Sequence, residues 1–242
     1  MSDNIPPYEI QLEIIKKVPD VKSLIRLRSV SKPWKSFIDS SKFIASYGSR
    51  HTQPNRLLLR YTFTGYISRI EVSYTSFIDD VSFLLKEGSF PDVHQLVYQL
   101  NYSKVIGSSC GLWSFHDYIT KMVAIWNPSI SKLVRIVVPN NTSQKMTHFA
   151  FGVCPSTYDP TIVGISYSDK WQVHIFNLST KTWKMIPSSN LPRESVQLML
   201  LTSNQVAIDR FIFLGAYDRI VFKNLILSFD LITHEFKEIH LP

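Results

Sequence analysis

One hairpin is written three times in this chain, and that constrains its fold more than any other feature. The copies run over 123–133 (VAIWNPSISKL), 173–183 (VHIFNLSTKTW) and 226–236 (ILSFDLITHEF). Each is an apolar strand, an aromatic, an Asn or Asp, a turn rich in Ser and Thr, and a second strand that opens on a large apolar residue. The aromatics Trp126, Phe176 and Phe229 are 50 and 53 residues apart. Asn127, Asn177 and Asp230 are suited to bond their own backbone and start the turn.

A hairpin repeating at about 50 residues has the period of a kelch-like propeller blade. Further β-rich runs lie at 57–63, 66–74, 161–166 and 205–213, with 133–138, 172–176 and 225–229 inside or beside the repeats. The run 57–74 reads as a degenerate first blade. A weak helical pattern lies at 90–100.

The N-terminus obeys a different period. Pro6 and Pro7 suit the first positions of a helix, and Ile10, Ile14 and Val18 then recur at steps of four with Ile15 beside them. Pro19 ends that helix. Asp20 is placed to cap a second helix carrying Leu24 and Leu27, and Ser31 a third carrying Trp34, Phe37 and Ile38. Three helices in so short a segment hold more apolar surface than they can hide among themselves. That surplus predicts a partner or a docking site on the rest of the chain.

The segment Ile5-Pro6-Pro7-Tyr8-Glu9-Ile10, then Ile14-Ile15, Val18-Pro19, Val21-Lys22-Ser23-Leu24, Arg28-Ser29-Val30-Ser31 and Trp34-Lys35-Ser36-Phe37-Ile38, resembles the F-box. Ile5 stands where that family usually has Leu, and Asp20 is a one-residue insertion. Further on, Gly107-Ser108-Ser109-Cys110-Gly111-Leu112, Trp126-Asn127-Pro128-Ser129 and Phe151-Gly152-Val153-Cys154-Pro155 resemble the F-box-associated domain of a large plant family. The resemblance implies an α+β multidomain chain. A three-helix F-box over 1–47 and a linker over 48–56 would precede a mostly β domain over 57–242, an incomplete or open β-propeller of kelch-like hairpins. It also implies a non-enzymatic substrate receptor of a ubiquitin ligase. Ile5, Pro6, Ile10, Ile14, Pro19, Leu24, Val30 and Trp34 would form or support the contact with a Skp-type adaptor, and through it a cullin, while the β domain holds a protein substrate.

A closed propeller needs at least four blades, and three signatures are legible. Members of the plant family generally run longer, so an open sheet or a truncated copy that binds the adaptor but no substrate is the alternative expectation.

Composition excludes several classes. Hydrophobic residues make up 45% and charged residues 19%, enough for a core and too apolar for disorder. No apolar run has the ~20 residues that span a bilayer, and no basic–apolar leader opens the chain. The reading is therefore intracellular, cytoplasm and/or nucleus, with no membrane partner. Cys110 and Cys154 make neither a disulfide framework nor a zinc site and read as buried small hydrophobes. The seven His show no metal spacing, and no nucleotide-binding loop is present, so neither metal nor cofactor is expected.

Gly107-Ser108-Ser109-Cys110-Gly111 matches the G-x-S-x-G form, with Asp159 or Asp169 and His174 or His234 as formal partners for Ser109. The helix that should follow such an elbow is missing from the pattern, and no catalytic residue is assigned. The net charge of +7 is uneven: residues 1–60 carry 11 Lys or Arg against 5 Asp or Glu. That raises helix-turn-helix binding of nucleic acid as a rival reading. Against it, Asp39 sits among the basic residues, and no Gly opens the turn.

Overall fold

The computed structural model describes residues 5–50, 56–64, 70–78, 103–117, 119–130, 132–139, 147–167, 170–199 and 205–241. The helical pattern at 90–100 and the start of the run at 66–74 lie outside them.

The N-terminal unit holds four helices, one more than expected: α1 (Tyr8–Lys16), α2 (Val21–Leu27), α3 (Lys32–Ile38) and α4 (Ser41–Arg50). Pro7 stands just outside α1 rather than in its first turn. Asp20 caps α2 by accepting from the Ser23 amide at 2.8 Å, and Ser31 caps α3 by accepting from the Trp34 amide at 3.2 Å. The inserted Asp20 thus starts the second helix. Ser40 accepts from the Phe43 amide at 3.2 Å at the start of α4. Ile15, Leu24, Ile38 and Phe43 form the core of this unit, each from a different helix. The fourth helix was hidden because 41–50 has few large apolar residues; Phe43 docks it on α3, its ring 4.9 Å from that of Phe37, and Tyr47 stacks on Phe43 within α4 at 5.6 Å.

Among the described residues fifteen strands follow. β1 (Arg56–Thr64) pairs with β2 (Ile70–Ile78). Sheet one is β3 (Ser103–Ser109), β4 (Leu112–Asp117), β5 (Met122–Asn127) and β6 (Lys132–Val137), antiparallel in that order. Sheet two is β7 (Thr147–Val153), β8 (Pro160–Tyr167), β9 (Trp171–Asn177) and β10 (Thr182–Met185). In sheet three, β13 (Phe211–Asp218), β14 (Lys223–Asp230) and β15 (Phe236–His240) are joined by two short strands, β11 (Val196–Leu198) and β12 (Gln205–Ile208). Both short strands pair along one edge of β13, end to end. The run expected at 205–213 is therefore two strands, broken at Asp209, which has φ +50°.

The repeated hairpins are the outer strand pairs of the three sheets, in one register. Trp126 lies opposite Leu133, Phe176 opposite Trp183 and Phe229 opposite Phe236. Asp230 starts its turn as expected, its Oδ1 accepting from the Ile232 amide at 2.8 Å. Asn177 instead donates to Thr161 Oγ1 at 3.0 Å, tying its turn to the neighbouring strand.

Sheet two is buried on both faces. Phe151, Val153, Ile162 and Phe176 pack against Ile106, Val123, Ile125 and Ile136 of sheet one. The alternate residues Ala150, Val163, Ile165, Val173 and Ile175 pack against Ile212, Leu225, Leu227 and Phe229 of sheet three. That is why Thr161-Ile162-Val163-Gly164-Ile165 reads as an almost unbroken apolar run instead of an alternating one.

The inner strands meet at one side chain. The Gln205 carboxamide accepts from the Phe151 amide and donates to the Phe151 carbonyl, both at 2.5 Å. It fits there because position 107 has no side chain: a Cβ on Gly107 would sit 2.2 Å from Gln205 Nε2. Replacing Gly107 with Ala should destabilise the β domain by about 1–3 kcal/mol, by pushing Gln205 off both backbone bonds. In urea unfolding, adding Gly107→Ala to Gln205→Ala should cost much less than Gly107→Ala alone. Additive costs would show that the two positions do not share this niche.

Candidate functional site

The apolar stripe of α1 does not face the unit's own core. Ile15 is buried and Leu12 packs with it, whereas Ile10 and Ile14, on the face marked by the four-residue period, are 50% and 55% exposed. Ile5 and Val30 are 72% and 63% exposed. Pro6 and Pro19 are exposed too. Six of the eight residues singled out from the sequence thus stand at the surface. The other two are held inside. Leu24 is a core residue at 4% exposure. Trp34 is half-buried, its indole Nε1 donating to Gln11 Oε1 at 2.8 Å. Gln11 Nε2 in turn donates to the Pro6 carbonyl at 2.7 Å, folding the entry segment back onto α1. Trp34 and Gln11 therefore hold the surface that the isoleucines present.

The basic character of this unit is partly neutralised within it. Arg28 donates to Asp39 Oδ2 at 2.9 Å, and Lys35 Nζ lies 3.1 Å from the same oxygen. The Arg28 hydrogen bond holds the Asp39 carboxyl below its usual range despite the opposing effect of burial.

In the β domain, the Ser109 hydroxyl accepts from the Val153 amide at 3.1 Å, joining β3 to β7. Cys110 and Gly111 after it, at φ +49° and +74°, form a two-residue hairpin loop between β3 and β4 instead of a strand-to-helix elbow. Asp159 is bonded to Ser179 through both its amide and its hydroxyl, and the His234 ring stacks on Phe229. Asp169 lies outside the described residues. Ser109 is thus a strand-to-strand clasp. Cys110 is exposed, correcting the expectation of two buried thiols, while Cys154 is buried.

Two hairpin tips went unrecognised in the sequence. Asp117 Oδ1 accepts from the Ile119 and Thr120 amides, and Asp218 Oδ1 from the Ile220 amide. In both loops the fourth residue, Lys121 or Phe222, is left-handed. The signal was an Asp two residues before an Ile, in a loop of four, between strands 101 residues apart. A cavity of about 100 Å³ lies at the same end of the sheets, with Lys104, His116 and His148 in its wall. Among the described residues no group of three or more His, Cys, Asp or Glu is placed to hold a metal ion, and no helix is long and apolar enough to cross a membrane.

Comparison with known proteins decides the family. Residues 72–242 match the F-box associated beta propeller domain, and residues 7–46 match the F-box domain. The chain belongs to the F-box associated beta propeller family. The match is to that propeller and not to a kelch repeat, and the three sheets form an open, propeller-like array. The putative F-box protein At3g16210 of Arabidopsis thaliana is 26% identical over 98% of this chain and 60% of its own length. The Arabidopsis F-box protein CPR1 is 24% identical over the same shares. Protein SUPPRESSOR OF NIM1 1 of Arabidopsis is 30% identical over 50% of this chain and 31% of its own length. The chain spans about half to three fifths of the length of the curated relatives it matches.

Burial also predicts how the β domain responds to acid. It lowers the His116 pKa from 6.5 to about 4, with Lys121 adding to the effect and Asp117 opposing it. Between those values the unfolded chain binds a proton that the folded chain refuses. Stability therefore falls as pH drops from 6.5 toward about 4. His148, His174 and His234, lowered in the same direction, add to the trend. His116→Gln should flatten the dependence by on the order of 1–2 kcal/mol in urea midpoints across this range, discounted for partial solvent access.

Proposed function

We propose that this chain is a substrate receptor of a Skp–cullin–F-box ubiquitin ligase, with the helical unit (1–47) docking the adaptor, 48–56 as linker and the β domain (57–242) holding a protein substrate. The observation that carries this reading is the outward face of α1. Ile10 and Ile14 are kept in water while the same helix buries Ile15, an arrangement that costs free energy unless a partner covers the face. Ile5, Pro6, Pro19 and Val30 extend it, and Leu24 and Trp34 support it from within. The F-box match over 7–46 supports a Skp-type adaptor as that partner.

The contribution to catalysis is proximity. A receptor that holds the substrate beside the ligase raises the effective concentration of its lysines without any reacting group of its own. The roles found for Ser109, Asp159 and His234 leave them structural. Neutralisation of Arg28 and Lys35 by Asp39 weakens the nucleic-acid alternative, which needs an unpaired basic stripe. The protein would work in the cytoplasm and/or nucleus.

Co-purification with a Skp-type adaptor tests this. Ile10→Asp and Ile14→Asp should each reduce capture by at least about tenfold, or ~1.4 kcal/mol, while the circular dichroism spectrum stays unchanged. Leu24→Asp, by contrast, should unfold the helical unit. A folded wild type that captures no adaptor, or surface variants that bind as well as wild type, would sink the assignment.

A further inference from the structure

The cavity at the tip end of the sheets has a basic polar wall, made by Lys104, His116 and His148. Lys104 and His116 lie directly opposite each other on β3 and β4, so both side chains leave the same face of sheet one. His148 lies opposite Ile165 on β7 and β8 and enters from sheet two. The third side comes from sheet three, through Leu198 of β11 and Leu214 of β13. Phe149 completes the apolar wall, its ring 4.5 Å from that of His116.

Three facts define what fits. Among the described residues no Asp or Glu lines the cavity. Neither imidazole makes a side-chain hydrogen bond, and Lys104 makes no ion pair, among the described residues. The Gln205 carboxamide, also in the wall, is committed to the Phe151 backbone. The Lys104 charge rules against a metal cation held by the two imidazoles. At about 100 Å³ the cavity holds several waters but falls well short of the ~300 Å³ at which drug-sized and cofactor pockets begin.

We propose that this cavity is a carboxylate subsite that takes one acidic side chain, a Glu or Asp, of the bound protein substrate. The carboxylate meets the Lys104 ammonium and the imidazole N–H groups of His116 and His148, while its methylene stem lies against Phe149, Ile165, Leu198 and Leu214. Burial lowers the pKa of both imidazoles, which favours their neutral form, so each offers an N–H without a full charge to desolvate. The exposed Ile119 and Ile220 on the neighbouring hairpin tips would flank the same segment. This subsite rests on the receptor reading above.

The test uses the whole chain with ¹³C-labelled histidine, the two imidazole resonances being assigned with His116→Gln and His148→Gln. The probes are butyrate, N-acetylglutamate α-amide and the two matching carboxamides. Both carboxylates should shift both resonances at millimolar concentration, the glutamyl compound the more tightly, and the carboxamides should not. Lys104→Gln, an exposed and structurally mild change, should raise the dissociation constants about tenfold. The proposal is overturned by carboxamides that shift the resonances equally, by carboxylates that shift neither, or by unchanged affinity in Lys104→Gln. Binding of butyrate but not of the glutamyl compound overturns it too, by making this a site for free small acids. Adaptor capture by the same samples separates the two readings. A chain that holds the adaptor and ignores carboxylates loses the subsite alone; one that binds carboxylates but no adaptor loses the receptor role alone.

Discussion

The β domain depends on one carboxamide placed where a side chain is missing. Gln205 mimics a strand: it offers one acceptor and one donor to the backbone of Phe151, as a neighbouring residue in a sheet would. Gly107 makes the approach possible by leaving the space empty. With Ser109 bonded to Val153 two residues along β7, three inner strands from three sheets are joined by side chains reaching to main chain. Each contact is modest by itself. Together they fix how the sheets meet, and so where the cavity walls stand.

On that frame the division of labour is simple. Sheet two is buried on both faces and supplies the apolar mass. Sheets one and three cover it and carry the loops. Trp183 and Trp171 reinforce the joins, donating to the carbonyls of Val137 and Val196 at 3.0 Å. The helical unit is built on the opposite principle. It is held by a small core of one residue per helix and keeps some of its largest aliphatic residues in water.

Much of this was legible in the sequence, for identifiable reasons. The outer hairpins were visible because their turn chemistry and aromatic spacing repeat, and the structure returns one register for all three. The caps Asp20 and Ser31 were visible because capping is local. The inner strands β3, β4 and β7 were not picked out as strands, because their glycines, serines and polar residues are used to approach other strands and line a cavity. Sequence patterns report burial against one neighbour. They do not report a glycine kept small for a glutamine 98 residues away. The same limit applied to α1, where four-residue spacing found the apolar face but could not say that Ile15, off that spacing, was the one turned inward.

The hairpin tips have a consequence for how this chain can change. Among the described residues seven positions other than glycine adopt positive φ, among them Lys121, Lys181 and Phe222 at the ends of four-residue loops and His234 in the loop between β14 and β15. Each costs about 1 kcal/mol relative to glycine. The chain has thus kept side chains at the rims of its sheets at the expense of thermal reserve. Its loop tips are the places where stability and surface chemistry trade against each other. Drift there toward glycine would yield a hardier protein with a blander rim.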